Sequence, residues 1–108
     1  MNYNEELSKP FGFGDIIEYS ANSVVSKTII KKATGTVTLF SFDKGEGLSE
    51  HKAPFDALVQ IIEGEAEIVL DGKVNKVKAG SAIILPADIP HSLKAIARFK
   101  MILTMIRS

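Results

Sequence analysis

The chain's 108 residues are enough for one hydrophobic core and too few for two. It contains no cysteine, which excludes disulfides, thiolate metal sites and a cysteine nucleophile. Its 13 basic and 13 acidic residues cancel, with no block longer than Lys31-Lys32, so it carries no electrostatic footprint for nucleic acid or a membrane surface.

Taken in order, residues 1–14 read as an N-terminal arm, polar at first and unlike a targeting segment. Phe11 and Phe13 of that arm are expected to pack on the edge of a single domain over 15–108. No apolar run approaches the roughly 18 residues of a membrane span, so a cytoplasmic location is expected. Asp15 to Tyr19 is read as a short strand, and Val24 to Lys32 as a longer, β-branched one. In Gly35 to Phe42 the pattern puts Val37, Leu39 and Ser41 on one face, with Thr36, Thr38, Phe40 and Phe42 on the other. Ala57 to Ile62 is apolar, and Glu63-Gly64 turns it. Glu65 to Leu70 alternates and meets Asp71-Gly72, the strongest hairpin signal in the chain. Lys73 to Lys78 returns. Ser81 to Leu85 reads as a buried strand, Pro86 to Pro90 as a rigid turn and Arg98 to Ile106 as a last strand.

No stretch combines helical periodicity with caps. Short strands separated by glycine and proline turns predict an all-β barrel or sandwich. Leu58 and Ile62 lie opposite Val59 and Ile61, and Ile102 and Ile106 lie opposite Leu103 and Met105, so two strands need cover on both faces. A second copy in a homodimer is the expected cover, and the N-terminal arm is the alternative.

The chain's two histidines, His51 and His91, each stand beside a turn. Gly45 precedes His51 by five intervening residues, and Gly64 closes that stretch. Gly80 precedes Pro86 by five more, and His91 follows. In this the chain resembles a small single-domain cupin, whose motifs run G-x5-H-x-H-x3,4-E-x6-G and G-x5-P-x-G-x2-H-x3-N. The resemblance extends from about residue 15 to the end and implies a double-stranded β-helix, or jelly-roll, barrel. It also implies that His51 and His91 point inward beside Ala53 and Ala57, with Met101 on the last strand a candidate pocket wall.

The departures bear on chemistry. Ala53 stands where the second histidine ligand is expected, Ala57 where the glutamate is, Asp88 at a glycine and Ala95 at the final asparagine. A divalent metal (Fe, Mn, Ni or Zn) would be left with His51, His91 and, at most, Asp56. Asp56 has the wrong parity for the interior if Ala57 faces it. Without metal, the histidines could bind an anionic or hydrogen-bonding small molecule. The serines lack a nucleophile elbow, and Met101 and Met105 read as pocket wall or core.

Three readings follow. The first is a barrel that binds a small molecule at His51 and His91. The second is a metal-dependent dioxygenase, isomerase or decarboxylase. The third is a degenerate dimeric module for interaction or regulation.

Overall fold

A computed structural model describes residues 8–107. Nine strands follow one another in the described chain: β1 Val24–Lys32, β2 Gly35–Phe42, β3 Gly47–His51, β4 Asp56–Glu63, β5 Glu65–Leu70, β6 Lys73–Lys78, β7 Ala82–Leu85, β8 His91–Lys94 and β9 Phe99–Ile106. They form two sheets, ordered β1-β2-β9-β4-β7 and β3-β8-β5-β6, and every pairing is antiparallel. This is the expected all-β jelly roll. Among the described residues no helix is long and apolar enough to cross a membrane.

Turn chemistry accounts for the connections. Asp71 and Gly72 both take positive φ, 51° and 77°, and close the β5–β6 hairpin with Leu70 opposite Lys73. Gly64 (φ 74°) carries the chain from one sheet to the other, and a Cβ there would collide with the carbonyl of Arg98.

The alternating residues of each strand then divide between two clusters. Inside lie Val59, Ile61, Ala66, Ile68, Leu93 and Met101, around Phe42 and Phe99, whose stacked rings are 4.4 Å apart. Outside the five-stranded sheet, Leu39 and Ile102 pack with Ile17 and Ile29. The faces expected for β2 are those observed.

Asp15 to Tyr19 is not a strand. Phe13–Asp15 is a short 3-10 turn, and the chain beyond it lies irregularly over the outer face. Side chains of the sheet satisfy its backbone: Lys100 Nζ donates to Gly14 O (2.8 Å) and Ser41 Oγ to Glu18 O (2.7 Å). Tyr19 Oη also donates to Glu63 Oε2 (2.6 Å). Phe11 and Phe13 are exposed and meet each other edge to face at 5.5 Å. The rest of the expected arm, residues 1–7, lies outside the described residues.

Ser81 to Leu85 contains a strand, Ala82–Leu85, but not a buried one. Its strand, β7, pairs only with β4 at the sheet edge, so Leu85 is buried while Ile84 remains 61% exposed. Two short strands, β3 and β8, carry the histidines; at five and four residues they are too short for alternation to fix their bounds.

Candidate functional site

His51 is the last residue of β3 and His91 the first of β8, and the register makes them cross-strand partners. Direct partners in an antiparallel pair project from the same face, so both imidazoles turn the same way. The turn before His91 is tied to the segment after His51. Asp88 N donates to Ala53 O (2.7 Å), and Ala87 N donates to Asp56 Oδ1 (2.8 Å). Asp88 has φ 62°, a left-handed conformation that aspartate tolerates better than most residues. That is why it can stand where the resemblance expects glycine.

The two Nε2 atoms are 3.2 Å apart, and the ring centres 4.4 Å apart, with planes inclined at 67°. The other ring nitrogens face backbone: His51 Nδ1 lies 2.8 Å from Ser49 O and His91 Nδ1 3.2 Å from Ile89 O. His91 is buried and His51 exposed. Desolvation holds His91 below the usual imidazole pKa, and the nearby His51 pushes the same way. The Ile89 carbonyl opposes them, favouring the protonated ring.

Both histidines line a cavity of about 50 Å³, together with Ala53, Ala57, Met101 and Met105. The residues singled out from the sequence as pocket therefore meet in one place. Asp56 does not join them: as its parity requires, it turns away from Ala57 and accepts the Ala87 N–H. Phe55 also lines the cavity and was not anticipated, because it sits in the irregular connection between β3 and β4. The Arg107 guanidinium lies 5.5 Å from its ring centre. The only sequence signal for Phe55 was an aromatic residue between Pro54 and a strand.

The donor set does not fit the divalent ion that the resemblance implies. Two neutral nitrogens are half of a tetrahedral zinc shell, and methyl groups occupy the other two positions. Among the described residues no cluster of three His, Cys, Asp or Glu side chains is placed to hold a metal.

Comparison with known proteins agrees with this architecture. A conserved protein of unknown function from Streptococcus pyogenes is 34% identical, with a TM-score of 0.93, covering 100% of this chain and 96% of that one. A cupin superfamily protein from Desulfitobacterium hafniense is 29% identical (TM-score 0.90; 100% of this chain, 97% of that one). A cupin 2 conserved barrel domain protein from Leptotrichia buccalis is 41% identical over 89% of this chain and 47% of that one, with a TM-score of 0.86. Among curated proteins, the polyketide synthase CurC of Streptomyces cyaneus is 26% identical over 73 residues, 67% of this chain. The chain spans about half of that relative's length, 47%. Residues 38–106, which hold both histidines and eight of the nine strands in whole or part, match the family Cupin_2, described as a cupin domain, and the chain belongs to that family.

Proposed function

We propose that the protein binds a small molecule through a polar head group held at His51 and His91, against walls that include Ala53, Ala57 and Met101. The observation that carries this reading is the convergence of two imidazoles, 3.2 Å apart at Nε2, on one small apolar cavity. Pockets of this kind are mostly apolar with a few convergent polar groups. At about 50 Å³ the cavity is far below the several hundred Å³ of a drug-sized site, so it receives only the head of a ligand or a very small molecule. The likeness to a protein named as a polyketide synthase is in keeping with small-molecule chemistry.

The small cavity also favours a second reading, in which the barrel is chiefly an interaction module. A homodimer is part of both readings, since Ile84 and Ile106 leave apolar surface on the outer face. A cytoplasmic site of action is proposed with them.

Protein purified without chelator or affinity tag, assayed for Fe, Mn, Ni and Zn and then for thermal shift against a metabolite panel, tests the proposal. The expected result is substoichiometric metal and a ligand-dependent rise in Tm, lost in the His51→Ala/His91→Ala double variant. Stoichiometric metal that disappears in the double variant would replace the proposal with the metal-dependent enzyme. No metal and no shift leaves the interaction module.

A further inference from the structure

The hydrogens on the two rings can be placed from their partners. A backbone carbonyl only accepts, so His51 Nδ1 donates to Ser49 O and His91 Nδ1 donates to Ile89 O. A neutral imidazole with its hydrogen on Nδ1 has a bare lone pair at Nε2. While both rings are neutral, both Nε2 atoms are therefore acceptors, standing 3.2 Å apart with no hydrogen between them. Neither can satisfy the other. The cavity wall offers no remedy, because no lining side chain besides the histidines carries an N–H or O–H group.

We infer that the histidine pair is a two-acceptor cradle for a small uncharged head group with two polarised hydrogens, a primary amide or two adjacent hydroxyls. This rests on the small-molecule reading above and narrows it. Carboxylates are disfavoured because their oxygens would set lone pairs against lone pairs, leaving three or four acceptors without a hydrogen. An ammonium group is disfavoured because no acidic side chain lines the cavity to balance its charge. Size agrees, since a cavity of about 50 Å³ admits only a few non-hydrogen atoms. An amide with one carbon behind it, or a pair of hydroxyls on two carbons, fills that space. Anything larger leaves past the exposed ring of His51.

Long-range proton–nitrogen NMR of nitrogen-15-labelled protein, at about pH 8, above the usual imidazole range, tests both parts. Hydrogen on both Nδ1 and on neither Nε2 is expected; an Nε2–H on either ring overturns the cradle. The probes are acetamide and ethane-1,2-diol as donors, with acetate and acetone as acceptor-only counterparts. Acetamide is expected to shift both Nε2 resonances and to bind at least about tenfold more tightly than acetate, which matches it in size. His51→Ala, at an exposed position, should abolish that preference. Equal or tighter acetate binding would overturn the donor preference and leave the barrel a small-molecule binder. If none of the four probes perturbs either ring, the cradle and the binding reading fall together. A response to Zn²⁺ alone, reversed by EDTA, would assign the pair to a metal instead.

Discussion

His51 and His91 are direct neighbours because one register, His51↔His91, ends β3 where β8 begins. Ala53 and Ala57 line the same cavity. Restoring imidazole and carboxylate there with Ala53→His and Ala57→Glu should therefore create a site for a divalent ion. Isothermal titration with Zn²⁺ or Mn²⁺ is expected to show a gain in affinity of at least about a hundredfold, since two ligands are added to two. No gain would mean that the four side chains do not point at a common centre. The pocket positions of the two histidines and the two methyl groups were legible only through the resemblance to the cupin motifs, since nothing in the spacing by itself says which way they face. The orientation of Asp56 was legible too, through parity. Phe55 was not, because an irregular connection has no period from which a facing can be read.

At the level of strands and turns, positive φ marks the places that sequence reading located best. Asp71-Gly72 and Gly64 each sit where a turn was expected. They differ in surroundings: around Gly72 a Cβ would meet open space, whereas at Gly64 it would strike the Arg98 carbonyl. Gly72→Ala should cost about 1 kcal/mol of left-handed strain, and Gly64→Ala about 3 kcal/mol or more because β9 must also shift. Urea denaturation of the two variants checks the ranking, and equal losses would remove the close-approach argument. Asp15 to Tyr19 shows the opposite case. It reads as a short strand, yet among the described residues the segment has no strand partner. Lys100, Ser41 and the outer cluster hold it down as irregular chain. Nothing local in those five residues reports a serine 23 residues from its acceptor, Glu18 O.

For the molecule as a whole, the question is the outer face. Ile17 and Ile29 cover its middle, so part of the cover that the two-faced strands required comes from within the chain. A row of register partners, Ile30, Val37, Thr104, Leu58 and Ile84, runs across all five strands, with exposed Ile106 two positions along β9. A second copy set face to face would bury that row. Ile84→Lys with Ile106→Lys is expected to convert a dimer to a monomer in sedimentation velocity at micromolar concentration, with the fold unchanged by circular dichroism. A monomeric parent protein would dispose of the dimer.

The pairing of β3 with β8 has a kinetic consequence. It joins segments forty residues apart in a chain dominated by distant antiparallel partners, a topology associated with slow folding. The histidine pair that the proposed cradle needs is brought together only when the smaller sheet has zipped shut, so on that reading a partly folded chain would have nothing with which to hold a guest. On the small-molecule reading, occupancy would therefore report completion of the barrel, and at ligand concentrations well above Kd each tenfold gain in affinity would add about 1.4 kcal/mol to the stability of the finished fold.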